Sequence, residues 1–262
     1  MTDMGPWLDA DAFRLLVYGM LAMAFVVFVS LYFVTAGYGQ FRSARWGWSI
    51  HNKVAWVLME APVFVVMVAV WTTSGRSFHL PEFVLLSLFL LHYFQRSFVF
   101  PMLMHGRSQM PVAIVLMGVV FNVLNGMMQG GGLYWYPNPD FQLGASYLLR
   151  WNALLGIGMF VVGMCINLHS DHVIRHLRQP GDTRHYLPQK GMYRYVTSAN
   201  YLGELMEWTG FALAAGTLVA WVFPIWTAAN LVPRAHSIHR RYCDEFGREA
   251  VGKRKRIIPF IY

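Results

Sequence analysis

The sequence predicts an all-α integral membrane protein of seven transmembrane helices, and three observations carry that reading. Charged residues make up 13% of the chain and hydrophobic residues 56%, with mean hydropathy +0.39, whereas an ordinary soluble domain is about a quarter charged. Apolar stretches long enough to cross about 30 Å of hydrocarbon recur along the whole chain with short polar gaps between them. The basic residues collect in alternate gaps, which is a topology signal. One integral domain over 1–262 follows, since no polar interval is long enough to hold a second core.

The first span is placed near 13–37. The residues before it include Asp3, Asp9 and Asp11 and no Lys or Arg, the wrong flank for a cleaved leader, so this span is expected to stay. The second covers 54–73, the third 81–104 and the fourth 111–130. The fifth, 146–170, and the seventh, 222–243, outlast a bilayer and are expected to project from it. The sixth, 201–220, is separated from the seventh only by a weak break near Ala220 to Pro224. Between the fourth and fifth, 131–145 is rich in Gly, Pro, Tyr and Trp, as an interfacial cap would be.

All of the 21 Lys and Arg residues except Arg14, Arg76 and Arg150 fall on one side of this arrangement. The positive-inside rule then puts the odd-numbered loops and the C-terminus in the cytoplasm and the acidic N-terminus outside. The net charge of +8 is explained by topology, because no basic face is interleaved with aromatics as nucleic-acid binding would need. Cys165 and Cys243 are too few and too far apart for a disulfide framework or a paired zinc motif. No metal site is expected. The Lys253 to Arg256 run reads as a contact for anionic lipid.

Against this apolar background the polar residues stand out, because burial in lipid makes them expensive. Glu60 lies about seven residues into the second span, roughly 10 Å deep, within the run Trp56 to Val66. An isolated carboxyl there is expected to be the neutral acid and a hydrogen-bond donor. The third span carries His92, Tyr93, Gln95 and Arg96, with Tyr93 roughly 13 Å deep, at a depth similar to Glu60. A phenol beside a protonated carboxyl makes a two-donor site able to hold a carbonyl oxygen and the negative charge developing on it. A satisfied, merely packed hydroxyl accounts equally well for Tyr93 alone. On the fourth span Asn122, Asn125 and Gln129 form a polar stripe flanked by Gly118, Gly126 and Gly130, either helix glue or cavity lining.

The densest constellation lies at the inner end. Asn167, Asp171, Arg175 and Arg178 share one face of the fifth helix, Asn200, Glu204 and Glu207 lie on the sixth, and Arg234, His239, Arg240, Arg241 and Tyr242 on the seventh. Carboxylates and amides can hold ribose hydroxyls and a carboxamide, while guanidiniums hold phosphates, so the mixture suits a nucleotide; a solvated salt-bridge network is the alternative. No Gly-x-Gly-x-x-Gly follows a strand, and Gly156 and Gly158 sit inside an apolar helix where they would serve packing.

These residues fall in blocks that resemble the steroid 5-alpha-reductase family (3-oxo-5-alpha-steroid 4-dehydrogenases), in a bacterial-type form: Ala55 to Pro62 (AWVLMEAP), Leu91 to Val99 (LHYFQRSFV), Asn125 to Gly130 (NGMMQG), Asn167 to Gly181 (NLHSDHVIRHLRQPG), Ser198 to Gly210 (SANYLGELMEWTG) and Ile258 to Tyr262 (IPFIY). The resemblance implies a seven-helix membrane enzyme that uses NADPH to reduce the 4,5 double bond of a 3-oxo-4-ene steroid. By position it implies Glu60 and Tyr93 as catalytic residues. It implies Asn167, Asp171, Arg178, Asn200, Glu204, Arg234 and Tyr242 as cofactor contacts, with Arg96, Arg107 and Tyr195 beside them. Trp56, Asn125 and Gln129 are taken as substrate-lining positions. Where the family usually has Gln before the catalytic Glu, this chain has Met59. The expected partners are a lipophilic steroid-like substrate entering from the bilayer and membrane lipids, with the chain working as a monomer. The membrane would be the inner membrane of a bacterium or the endoplasmic reticulum of a eukaryote.

The later blocks alone would also admit fatty enoyl-CoA or polyprenol reductases. A prenylcysteine-type methyltransferase resembles the C-terminal helices, but that family has Arg-His-Pro before the Tyr where this chain has Ser198, Ala199 and Asn200. A transporter would favour internal repeats or paired broken helices, and the sequence offers neither.

Overall fold

A computed structural model describes residues 5–34, 37, 46–105, 108–179, 182 and 184–262. Seven long helices lie among them: α1 Ala10–Phe33, α2 Asn52–Thr73, α3 Leu80–Leu103, α4 Val112–Tyr134, α5 Trp151–Arg175, α6 Ala199–Ala215 and α7 Leu218–Phe246. The first five are long and apolar enough to cross a membrane. Asp9 caps α1 by accepting the Ala12 amide at 2.8 Å.

Three local features differ from expectation. The break between the last two helices falls at Gly216 and Thr217, not at Ala220 to Pro224. Gly216 ends α6 in the left-handed region at φ 63°, and the Thr217 hydroxyl accepts the Ala220 amide to start α7. Pro224 and Pro233 are carried inside α7, where packing on α1 and α6 outweighs the lost backbone bonds. Next, α3 widens into a π-helical turn at Gln95–Val99, which changes the direction of every side chain after Phe94. Finally, two three-residue strands, β1 Ser49–His51 and β2 Gln109–Pro111, pair antiparallel with Ser49 opposite Pro111. Each leads directly into a helix, so the strand pair brings the starts of α2 and α4 side by side.

The tightest seam is between α5 and α6. A Cβ placed on Gly163 would lie 2.5 Å from the Glu207 amide nitrogen, and one on Gly203 would lie 2.5 Å from the Asn167 nitrogen. These are backbone atoms of the facing helix, so nothing can swing aside; small residues let the two main chains touch. Gly156 belongs to the same seam, but Gly158 faces open space and does not serve packing as expected. We expect Gly203→Val to destabilise the protein by about 3 kcal/mol, measured as a fall in Tm in detergent, whereas Gly158→Ala should leave Tm unchanged or higher. The Trp226 indole donates to the Met20 carbonyl at 2.7 Å and ties α7 to α1. Phe89, Phe160, Trp208 and Phe211 form the deepest part of the core.

Candidate active site

Glu60 and Tyr93 reach the same face of α4. The Asn122 amide donates to the Glu60 carboxyl at 3.3 Å and to the Met59 carbonyl at 2.7 Å. One turn later the Asn125 amide donates to the Tyr93 hydroxyl at 3.5 Å. Two amides at i and i+3 therefore hold the acid and the phenol in one depth layer. Pro62 cannot donate to the Leu58 carbonyl, which loosens α2 just where Glu60 projects. The Oδ1 atoms of Asn122 and Asn125 are enclosed and accept no hydrogen bond among the described residues. The Tyr93 ring is fixed by Phe89 at 4.8 Å, Trp208 at 5.7 Å and Phe223 at 6.4 Å, nearly parallel to the last.

Gln129 lies further along the stripe and donates to the Val219 carbonyl at 3.1 Å. That bond holds α4 to α7, so at Gln129 the structure favours glue over lining. Met59 packs toward α4 as well: a Cβ on Gly118 would lie 2.3 Å from Met59 Cγ, so only glycine leaves the thioether its place.

The π turn aims Arg96 across the bundle. Its guanidinium bonds Asp171 Oδ2 at 3.2 Å, lies 3.9 Å from Glu204 Oε2, and covers the rings of Trp56 at 4.7 Å and Phe100 at 4.6 Å. Trp56 thus forms a wall under Arg96. Asn200 donates to Asp171 Oδ1 at 3.3 Å, Asn167 donates to the Asn200 carbonyl at 3.0 Å, and the Tyr193 hydroxyl reaches Asn200 Oδ1 at 3.4 Å. Arg96, Asn167, Asp171, Asn200 and Glu204 are one network spanning α3, α5 and α6, made possible by the glycine seam.

The other sequence-chosen residues are placed differently. Arg234 donates through Nε to the Tyr201 hydroxyl at 2.8 Å. Tyr242 is half-buried on α7 with its ring against Phe246. Arg178 is exposed three residues beyond α5, and Tyr195 is exposed against Phe260. Arg107 lies outside the described residues. Between α5 and α6, hydrogen bonds from Arg184 and then Tyr186 hold the Asp182 carboxyl below the ordinary aspartate range, so this carboxylate stays anionic well into acid.

The structure adds a pair that the sequence reading left unconnected. His92 Nδ1 and Glu207 Oε1 are 2.6 Å apart, both side chains buried, and the imidazole lies edge-on to Tyr93 at 5.0 Å and to Trp208 at 4.5 Å. The available signal was depth: Glu207 lies three residues inside Glu204, where a lone carboxyl demands a partner. A Glu207→Leu change leaves His92 without its acceptor; Tm should fall by several degrees, since losing one member of a buried pair costs about 3 kcal/mol.

Comparison with known proteins identifies the family. A family model described as 3-oxo-5-alpha-steroid 4-dehydrogenase matches residues 108–262. The chain is 38% identical to 3-oxo-5-alpha-steroid 4-dehydrogenase 1 of Mus musculus, over 91% of this chain and 92% of that protein. It is 35% identical to the steroid 5-alpha-reductase DET2 of Gossypium hirsutum, over 97% of this chain and 99% of that protein. It is 38% identical to 3-oxo-5-alpha-steroid 4-dehydrogenase 2 of Sus scrofa, over 93% and 95%. With its apolar helices and its polar network between α3, α5 and α6, the chain belongs to the 3-oxo-5-alpha-steroid 4-dehydrogenase family, oxidoreductases acting on CH–CH bonds.

Proposed function

We propose that the protein is an NADPH-dependent reductase of the 4,5 double bond of 3-oxo-4-ene steroids. It would work as a monomer within seven membrane spans, with its N-terminus outside and its inner mouth at the cytoplasm. The observation that carries the reading is the convergence of Glu60 and Tyr93 on Asn122 and Asn125 beside the Arg96–Asp171–Asn200–Glu204 network. The orientation follows the one-sided Lys and Arg distribution, and α6 and α7 complete the bundle alongside the five apolar helices.

The donor set fits a dinucleotide phosphate. Asp171, Glu204, Asn167 and Asn200 offer acceptors and amides for ribose hydroxyls and a carboxamide, and Arg96, Arg178 and Arg234 offer guanidiniums for phosphates, with Arg107, Tyr195 and Tyr242 as the further contacts that the family resemblance implies. Arg175 Nη1 is enclosed with no acceptor among the described residues, a buried donor that a phosphate oxygen would satisfy. NADPH held by these residues would supply the hydride.

The chain's own residues then manage charge and protons. A flat apolar enone enters from the lipid and lies against Trp56 and the α4 face of Asn125. Tyr93 and neutral Glu60 donate hydrogen bonds to O3, and as hydride reaches C5 they stabilise the enolate that forms. Asn122 and Asn125 orient the two donors. A proton added at C4 completes the reduction. Low dielectric around the site strengthens both hydrogen bonds, and the surrounding aromatics exclude water.

The direct test incubates purified protein with NADPH and either testosterone or a fatty enoyl-CoA and looks by mass spectrometry for addition of two hydrogens. Reduction of the steroid is expected. Reduction of the enoyl-CoA alone would move the substrate class, and uptake of steroid into proteoliposomes without NADPH consumption would replace catalysis with transport.

A further inference from the structure

The Ile258 to Tyr262 block takes no part in the chemistry above, yet it has a definite shape. The Ile257 and Ile258 amides both donate to the Tyr262 main-chain oxygen at 2.8 Å, closing a hook. Phe260 sits at φ 66°, a left-handed conformation that side chains other than glycine's rarely adopt. That strained turn points apolar groups outward: Phe260 is 81% and Ile261 76% exposed, while Ile257 is buried beneath them. A non-glycine residue held in this region is a reason to look for function.

We propose that the hook is an interfacial anchor that inserts Phe260 and Ile261 into an anionic phospholipid leaflet and, through the backbone, steadies the start of α6. Its height supports this. The Tyr262 side chain lies within interaction range of that of Tyr32, the next-to-last residue of α1, so the hook lies where the apolar run of α1 ends. Exposed Trp48 and Tyr32 are rings of the kind enriched at headgroup level. Its charge supports it too: Lys253 and Lys255 are exposed beside the hook, and Arg256 lies over the Tyr262 ring at 4.7 Å. Apolar insertion flanked by lysines is the chemistry of an anionic membrane surface.

The hook is wired to the site. The Thr197 amide donates to the Lys255 carbonyl at 2.8 Å, the Ser198 amide to the Arg256 carbonyl at 3.0 Å, and the Lys255 amide to the Tyr195 carbonyl at 2.9 Å. Residues 197 and 198 lead straight into α6, whose first two turns carry Asn200 and Glu204. Seating the hook in lipid therefore fixes the end of the helix that offers these two side chains. This rests on the reading that the helices span a bilayer with this end at the cytoplasmic leaflet.

The test uses the full chain with Cys165→Ser and Cys243→Ser, carrying Phe260→Cys or, as a control, Glu249→Cys, each labelled with an environment-sensitive fluorophore. Nanodiscs contain phosphatidylcholine alone or mixed with phosphatidylglycerol. We expect blue-shifted emission at position 260 that brominated acyl chains quench, stronger with phosphatidylglycerol and weakened by Lys253→Ala with Lys255→Ala; position 249 should stay water-like. Unlabelled Phe260→Ser with Ile261→Ser should raise the KM for NADPH several-fold in the mixed discs and leave kcat nearly unchanged. Emission at 260 that stays water-like in both discs would overturn the anchor. So would emission that follows the number of chains per disc, which would indicate a second copy as the occupant. The fluorescence readout needs no turnover, so failure of the proposed reaction and failure of the anchor are separable.

Discussion

Tyr93→Phe should lower kcat for steroid reduction on the order of a hundredfold or more, the usual loss when one donor to a developing oxyanion is removed. The ring would keep its places against Phe89, Trp208 and Phe223, so Tm and NADPH affinity should hold. Glu60→Leu removes the second donor and should cost a similar factor, while Glu60→Gln keeps a neutral donor amide and should retain part of the activity. Because both donors serve one oxygen, the double variant should lose less than the product of the single losses. Stopped-flow kinetics in detergent with NADPH oxidation as the signal separates these cases. Wild-type rates in both Tyr93→Phe and Glu60→Leu would end the mechanism.

Asp171→Ala should act on binding instead. Asp171 accepts from both Arg96 and Asn200, so its loss frees the guanidinium toward Glu204 and lets the Asn200 amide turn. Removing a charge-assisted hydrogen-bonding group of this kind costs roughly 2 kcal/mol, or about thirtyfold in Kd for NADPH. Isothermal titration in detergent should show that loss, and unchanged affinity would place the cofactor elsewhere. Arg178→Ala should also weaken binding, by less and in a more salt-dependent way, because Arg178 is exposed beyond α5 where counterions compete.

Much of the site was legible in the chain because lipid makes polar groups conspicuous. Glu60 and Tyr93 stand out as expensive residues at similar depth and Asn122 and Asn125 as a polar stripe on the fourth span, and the structure joins them through two hydrogen bonds. Arg96 and Asp171 are each conspicuous in the sequence, but their contact depends on the π turn at Gln95–Val99, which redirects Arg96 and has no sequence signal of its own. His92 and Glu207 lie on separate helices, and nothing in their spacing joins them. Gln129 looked equivalent to Asn125 and is instead bonded to Val219 across a helix seam. The helix break falls at Gly216 and not at 220–224, because the left-handed turn that glycine allows ends a helix where a proline can be carried inside one.

By itself the sequence determined the membrane class, the position of the apolar helices to within a few residues, and which ionisable groups lie deep. Those properties depend on local composition and on length, and hydrocarbon reads both directly. Only the tertiary structure decided which deep residues meet. In water a helix advertises its buried face by alternating polar and apolar residues. In lipid both faces are apolar, so rotation about the axis leaves no periodic trace. The glycines of the α5–α6 seam, the π turn in α3 and the turn at Gly216 set those rotations. They bring Arg96 to Asp171 and His92 to Glu207, beside the acid and the phenol that the sequence had already picked out.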